Sequence, residues 1–230
     1  MTGRTNPKRN ILVVAPHPDD DIIGCGGSIA RYIHHGFSVM VAYLTSGEEG
    51  SIDSTGKDVS SLREREVKAA ADVLGHPDLE FLRMKDGYVQ AYRQEGLTVL
   101  TRIIRQQRPS IIYFPHSREE HSDHKAAHDI VKEAARRAGG PWFAECGASP
   151  WRPDALLCYE VWTPIQNVSY IEDISPFMEV KMRALAQHQS QISSLPYEEA
   201  TRALNRFRGI TTGRGDYCEC FEVLLISSFF

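Results

Sequence analysis

The sequence lacks the marks of several large protein classes, and each absence excludes one of them. No apolar run reaches about 18 residues, the length that a membrane-spanning helix needs. The formal net charge is −4 and the pI is near 6.1, so the basic excess typical of nucleic-acid-binding proteins is missing. The five cysteines form no CxxC pair, and their odd number favours reduced thiols over a disulfide framework. We therefore expect a cytoplasmic protein without a membrane span or a nucleic-acid partner.

The chain also lacks the features of a secreted or multidomain protein. Its basic N-terminus is followed only by the short apolar run "ILVVA" before charge returns, which makes a poor signal peptide. We find no repeat, no low-complexity tract and no long linker. The 230 residues, 42% of them hydrophobic, fit one domain over residues 1–230 with a substantial core.

Apolar runs and helical patterns alternate along the first part of the chain. The predicted strands lie at about residues 10–15, 38–44, 79–82 and 110–115. The predicted helices lie at about residues 22–35, 60–75, 95–107 and 123–138. This alternation predicts an α/β fold, with a mostly parallel sheet covered by helices on both faces.

The rest of the chain has a different pattern. Two further strands are predicted within residues 154–162 and 217–226, with helices at about 176–190 and 196–207 between them. Residues 139–153, "GGPWFAECGASPWRP", are the most loop-like region, which we interpret as a lid or rim of a site.

Histidines and carboxylates follow two of the predicted strands. The turn "HPDDD" follows the first strand, and "HSREEHSDH" follows the fourth. Because ligands bind at the carboxyl ends of strands in an open parallel sheet, both turns should lie at the same edge. Imidazole and carboxylate are zinc ligands, and a catalytic zinc takes three protein ligands and leaves a place for water. Each turn alone could be a solvated charged loop, but their joint placement favours a metal site.

These two motifs together resemble those of the PIG-L/LmbE family of zinc-dependent N-deacetylases. The resemblance rests on "HPDDD" followed by "GCGGSIA", with "HSDH" about 100 residues later. Further segments support it in the expected order: "TSGEEG", "LREREVKAAADVLG", "LRMKDG" and "KMRALAQHQSQ". The family implies a Rossmann-like fold with its active site at the C-terminal strand ends, and one zinc ion or another divalent transition metal per chain.

The resemblance also implies a role for each motif residue. The implied zinc ligands are His17, Asp20 and His124. Asp19 would be the general base that takes a proton from water. His121 would be the acid that stabilises the oxyanion and protonates the leaving amine. Asp123 would hold an imidazole in its working tautomer.

Other positions are matched less closely. Arg63, Asp86 and His188 would contact the substrate. Some family members have a tyrosine two residues before the acidic histidine, where this chain has Glu119. That departure leaves the group assisting His121 unidentified and suggests a different pocket wall.

The expected function is removal of the acetyl group from an N-acetylated amino sugar, such as an N-acetylglucosamine conjugate. An amidase or deacylase acting on a thiol conjugate or an antibiotic intermediate is an alternative within the hydrolases. A Rossmann-like nucleotide-binding module is an alternative of another class, supported only by "GCGG", which does not match GxGxxG. The expected partner is a small N-acetylated sugar or sugar conjugate. The sequence is also compatible with a homo-oligomer.

Overall fold

The computed structural model describes residues 10–50, 58–147 and 149–226, and these contain one seven-stranded sheet. The strands are β1 (Asn10–Ala15), β2 (Ser38–Thr45), β3 (Asp78–Met84), β4 (Pro109–Pro115), β5 (Ala155–Tyr159), β6 (Tyr170–Asp173) and β7 (Cys218–Ile226). Their order across the sheet is β3-β2-β1-β4-β5-β7-β6. The first five strands of this order pair in parallel, and β7 pairs antiparallel with β5 and β6. The prediction of a mostly parallel sheet is confirmed.

Helices cover both faces of this sheet, as predicted. They are α1 (Asp20–His34), α2 (Val59–Leu74), α3 (Arg93–Gln107), α4 (Ser122–Ala138), α5 (Met178–Leu185), α6 (Gln189–Ile192) and α7 (Tyr197–Thr212). Along β1, Ile11 and Val13 pack into a core with α1, α2 and α5, whereas Leu12 and Val14 pack into a core with α3 and α4. A strand buried on both faces has a continuous apolar sequence, which is why "ILVV" shows no alternation.

The second half differs from the prediction in two places. The predicted helix 176–190 is two helices, α5 and α6, separated at residues 186–188. The short strand β6 at the sheet edge was not predicted. Among the described residues, none of the helices combines the length and apolar character required to cross a bilayer. The basic N-terminal residues 1–9, which entered the signal-peptide prediction, lie outside the described part of the chain. Asn10 and the "ILVVA" run lie within it.

The segment 139–153 lies at the amino end of β4. Arg105, near the end of α3, donates hydrogen bonds to the backbone oxygens of Gly140 (3.0 Å) and Phe143 (2.9 Å). The Trp151 indole donates to the Pro109 oxygen at the first residue of β4 (2.8 Å). The residues predicted to form the site follow the opposite, carboxyl end of β4. The segment is therefore tied down away from them, and the prediction of a lid or rim gains no support from its position.

Candidate metal centre and active site

The predicted site residues come together where parallel strands end. One turn follows β1, a second follows β4, and the segment after β3 reaches the same edge. A cleft of about 330 Å³ opens there. It is lined by His17, Asp19, Asp20, Glu49, Gly50, Arg63, Asp86, Gly87, His121, Trp162, Gln191 and Tyr197. The topology thus brings residues more than 100 positions apart into one pocket, as expected for an open α/β sheet.

Three buried ligand-type atoms form a tight triangle at the base of this cleft. His17 Nδ1 lies 3.0 Å from Asp20 Oδ2 and 3.3 Å from His124 Nε2, and Asp20 Oδ2 lies 3.2 Å from His124 Nε2. Ligand atoms at about 2.0–2.2 Å from a tetrahedral zinc would lie about 3.3 Å from one another. The donor set and its spacing therefore fit a single small divalent cation.

The outer nitrogen of His17 faces two more carboxylates. His17 Nε2 lies 3.1 Å from Asp86 Oδ1 and 3.4 Å from Asp123 Oδ2. Asp123 is itself fixed by the backbone N–H groups of Gly87 (2.7 Å) and Val89 (3.1 Å). Burial alone would lower the pKa of His17, but these two carboxylates and Asp20 raise it well above its usual range. The imidazole that Asp123 contacts is thus that of His17, and the Asp123 carboxylate also binds the segment after β3.

Two further groups have the spacing to hold an ion, and both include His17. One is His17 with His121 and His124, and the other is His17 with Asp86 and Asp123. In the second group the carboxylates face the Nε2 side of the ring. In the triangle with Asp20, by contrast, an ion would use Nδ1 and leave Nε2 to its carboxylate partners, as is usual for metal-bound histidines.

His124 has the same two-sided arrangement. Its Nε2 belongs to the triangle, and its Nδ1 lies 3.4 Å from Glu119 Oε2. Burial alone would lower the pKa of His124, but Asp20 outweighs it and raises the pKa to about 9. Glu119 is fully buried and does not line the cleft. The residue that replaces the tyrosine of some relatives therefore contacts a predicted ligand instead of forming pocket wall.

Asp19 projects beside the triangle from a strained backbone. Its φ is 117°, in the left-handed region that non-glycine residues seldom adopt. Arg63 holds this turn, because it donates to the oxygens of Pro18 (2.6 Å) and Gly47 (2.9 Å) and contacts Asp19 Oδ2 at 3.3 Å. Burial raises the pKa of Asp19 to about 7, although the Arg63 charge opposes that rise. A carboxyl group with such a pKa can accept a proton near neutral pH.

His121 is the more accessible of the histidines at this site. Its ring centroid lies 4.8 Å from that of His17 and 5.1 Å from that of His124. Its Nδ1 caps α4 by accepting the Asp123 backbone N–H at 3.2 Å, so the neutral ring carries its proton on Nε2. Burial lowers the pKa of His121, and the neighbouring His17 and His124 lower it further. The ring is thus placed to exchange a proton with the cleft.

The helix that begins with Asp20 is broken a few residues later. Cys25 has non-helical dihedral angles within α1. The freed oxygen of Ile23 accepts from Lys181 Nζ (2.9 Å), and the freed N–H groups of Gly27 and Ser28 donate to Glu219 (both 2.8 Å). Lys181 and Glu219 are buried and lie 2.7 Å apart. The "GCGG" segment is therefore a helix break stabilised by an internal ion pair.

The position of His188 differs from the sequence prediction that it contacts the substrate. Arg63 and Asp86 line the cleft as expected, but His188 has no solvent exposure and does not line it. Neither of its ring nitrogens has a hydrogen-bond partner. Burial lowers its pKa to about 3, and the Arg63 charge contributes to that decrease. His188 lies in the break between α5 and α6, buried and outside the lining of the cleft.

Several cleft residues were missed by the sequence interpretation. Trp162 and Tyr197 form an aromatic wall, with ring centroids 5.0 Å apart, and Trp162 is 43% exposed. Gln191 also lines the cleft and donates to the Gly50 oxygen at 3.1 Å. No motif marks Trp162 or Tyr197, which come from a loop and a helix start, and Gln191 ends the "KMRALAQHQSQ" segment without a role having been assigned to it. Only the Glu119 departure pointed to an altered pocket.

Comparison with known proteins gives a family. A model of the PIG-L family, described as GlcNAc-PI de-N-acetylase, matches residues 12–135, more than half of the chain. Diacetylchitobiose deacetylase of Thermococcus kodakarensis is 34% identical over 198 residues, which cover 81% of this chain and 71% of that protein. The chain therefore belongs to the PIG-L family of de-N-acetylases, and the resemblance found in the sequence is confirmed.

Solved structures agree with this assignment. The conserved protein TT1542 from Thermus thermophilus superposes with a TM-score of 0.84 at 32% identity, over 96% of each chain. The N,N'-diacetylchitobiose deacetylase from Pyrococcus horikoshii, in complex with an inhibitor, superposes with a TM-score of 0.82 at 26% identity. That match covers 94% of this chain and 84% of the other. The fold prediction is thus confirmed over nearly the whole chain.

Proposed function

We propose that this protein is a zinc-dependent hydrolase that removes the acetyl group from an N-acetylated amino sugar. The observation that carries the proposal is the triangle of His17, Asp20 and His124, with the Asp19 carboxylate beside it. Two imidazoles and one carboxylate suit zinc, although other divalent transition metals accept the same ligands. Bound there, zinc would supply a Lewis acid for the amide carbonyl and would acidify water.

The chain's own residues handle the protons. Asp19 takes a proton from the water that attacks the carbonyl carbon, and its raised pKa suits that task. In its doubly protonated form, His121 gives a proton to the amide nitrogen as the carbon–nitrogen bond breaks, which releases acetate, a primary amine and a neutral imidazole. Arg63 keeps the Asp19 turn in its strained form through three oxygen contacts. Asp86 and Asp123 orient His17 from its outer side.

The charge of the cleft supports a neutral substrate. Four of its lining residues are carboxylates, namely Asp19, Asp20, Glu49 and Asp86. Among the described lining residues Arg63 is the only lysine or arginine, and its guanidinium already bonds three oxygens of the chain. A phosphate or carboxylate on the substrate would therefore find no unpaired lysine or arginine among these described residues. The Trp162–Tyr197 wall suits the apolar face of a sugar ring.

The alternatives receive less support. A nucleotide-binding module would need free backbone N–H groups for a phosphate after β1. The N–H groups of Gly27 and Ser28 are bonded to the Glu219 carboxylate instead. An amidase or deacylase acting on a thiol conjugate or an antibiotic intermediate would use the same machinery. The cleft charge favours a neutral saccharide over an anionic conjugate of either kind.

The test is a panel of neutral N-acetylated mono- and disaccharides, assayed together for released primary amine and for acetate. Elemental analysis of the same protein gives its metal content. Wild-type protein should hold one zinc-class ion per chain and release both products, and a chelator should stop the release. His124→Ala should lose metal and activity, whereas His34→Ala, an exposed control, should keep both. Metal-loaded protein that releases no amine from any sugar, or His124→Ala with full metal, would contradict the proposal.

A further inference from the structure

The Glu119 carboxylate accepts hydrogen bonds from three consecutive backbone N–H groups. Its Oε1 accepts the N–H groups of Val161 (2.7 Å), Trp162 (3.1 Å) and Thr163 (3.2 Å), and its Oε2 lies 3.2 Å from the Trp162 nitrogen. Hydrogen bonds to an ionised acceptor are roughly twice as strong as neutral ones. The carboxylate thus fixes the path of residues 161–163 from inside the protein.

The same carboxylate reaches the predicted ligand His124. Glu119 Oε2 lies 3.4 Å from His124 Nδ1, while His124 Nε2 faces Asp20. When Nε2 of a histidine binds a metal, its remaining proton is on Nδ1, where a carboxylate can accept it. His124 Nδ1 is buried and has no hydrogen-bond partner in this structure, so an ion on Nε2 would direct an N–H toward Glu119 and favour a hydrogen bond there.

Residues 161–163 carry one wall of the cleft. Trp162 lines the cleft and packs on Tyr197, which begins α7. His116 Nε2 donates to the Thr163 oxygen at 2.7 Å, so a second buried side chain holds the same turn. The Glu119 carboxylate is consequently the link between the triangle and the aromatic wall.

We infer that Glu119 is a positioning residue that couples metal binding at His124 to the placement of the Trp162 wall. The inference rests on the proposed function only in taking His124 as a metal ligand. Binding of the ion should make residues 161–163 more rigid, and a firmly placed wall should in turn favour the ion. Substrate binding and metal occupancy would then depend on one another through a residue that touches neither substrate nor metal.

The decisive change is Glu119→Gln, which keeps the size of the side chain and removes its charge. An amide NH₂ must then face either the backbone N–H groups of residues 161–163 or the Nδ1–H of His124, so one contact is lost. Loss of such an outer partner typically weakens metal binding by about 10- to 100-fold. We expect that decrease in zinc affinity, measured by competition with a chromophoric chelator. We also expect an increase in KM for the sugar substrate.

Amide hydrogen exchange gives the readout that is independent of activity. In wild-type protein, zinc alone should slow exchange in peptides that contain residues 161–163. In Glu119→Gln, exchange there should be faster and should no longer respond to zinc at matched occupancy.

Glu160→Gln is the matched control. Glu160 holds the next part of the same loop through the Ile165 N–H (2.6 Å) and Arg208, without contacting a predicted ligand. It should loosen the loop while leaving zinc affinity and the zinc response unchanged.

Three outcomes would overturn the inference: wild-type exchange at residues 161–163 that ignores zinc, wild-type zinc affinity in Glu119→Gln, or an equal loss of affinity in Glu160→Gln. These measurements need no substrate. Coupling without amine release from any sugar would refute the proposed function alone, and amine release without coupling would refute the role of Glu119 alone. A wild-type protein that binds no zinc would refute both.

Discussion

Replacing Lys181 by methionine should destabilise the fold strongly, because it removes the cation from a fully buried ion pair. Lys181 Nζ lies 2.7 Å from Glu219 Oε1, and neither side chain is exposed. The variant leaves Glu219 without its cation and the Ile23 oxygen without its donor at the break in α1. Breaking a buried pair from one side costs about 3–5 kcal/mol. For a chain of this length each kcal/mol lowers Tm by about 2–4 °C, so we expect a loss of about 6–20 °C.

The assay is thermal unfolding followed by circular dichroism, with chelator present so that metal binding does not add to stability. The double variant Lys181→Met/Glu219→Gln should lose less than the sum of the single variants, because neither charge is then left buried alone. Arg202→Met is the control, since it breaks an exposed pair with Glu179 (2.8 Å) and should change Tm little. If Lys181→Met lost no more than this control, the buried pair could not be what stabilises the broken helix.

Three further predictions concern the site and its surroundings. Asp19→Asn should keep the metal but lose about 10²- to 10⁴-fold in turnover, whereas Asp20→Ala should lose the metal as well. If the two variants held equal amounts of metal and were equally impaired, this division of roles would be contradicted. The profile of kcat/KM against pH should fall on its alkaline side as His121 loses its proton. This fall should come at a lower pH than the pKa of a free imidazole, because burial lowers the pKa of His121. An active His121→Ala variant with an unchanged alkaline limb would remove the residue from the mechanism. The pKa of His188 is about 3 in the folded chain against an ordinary value of 6.5, so the unfolded chain binds the extra proton and stability falls as the pH drops below about 6.5, by about 2 kcal/mol at pH 5. Urea unfolding at pH 7 and pH 5 should find this acid sensitivity reduced in His188→Gln but unchanged in the exposed control His35→Gln, and an equal slope in all three proteins would refute it.

The sheet was predictable because its central strands are buried on both faces. Apolar runs such as "ILVV" and "IIYF", separated by helices with charged faces, are typical of such buried strands. The predicted strand bounds lie within three residues of the observed ones. The edge strand β6 (Tyr170–Asp173) carries one buried residue in four, the glutamate Glu172, so its sequence gives no comparable signal. Pairing with β7, 45 or more residues later, is what makes it a strand.

The site was predictable to the extent that single turns determine it. His17 and Asp20 are three residues apart and converge within one turn, and topology brings the second turn beside them. Partners from distant segments were not accessible in this way. Lysine in an amphipathic helix is normally exposed, so nothing in the sequence near Lys181 indicates that it is buried against Glu219, 38 residues later. His188 lies in the break between α5 and α6, where the sequence pattern predicted one continuous helix, and its burial was not predicted either.

The acidic turn after β1 is explained once each carboxylate is followed to its partner. Asp21 accepts the Tyr43 hydroxyl (2.8 Å), Asp19 meets Arg63, and Asp20 lies between two imidazoles. The outer nitrogens of those imidazoles face still more carboxylates, and these together with Asp20 raise both pKa values despite burial. A pocket that holds protons so firmly on histidine favours positive charge in general, and metal ions compete with protons for the same nitrogens. A divalent cation carries the same two charges as the protons it would displace from His17 and His124, so either arrangement offsets the buried carboxylates directly behind a core strand.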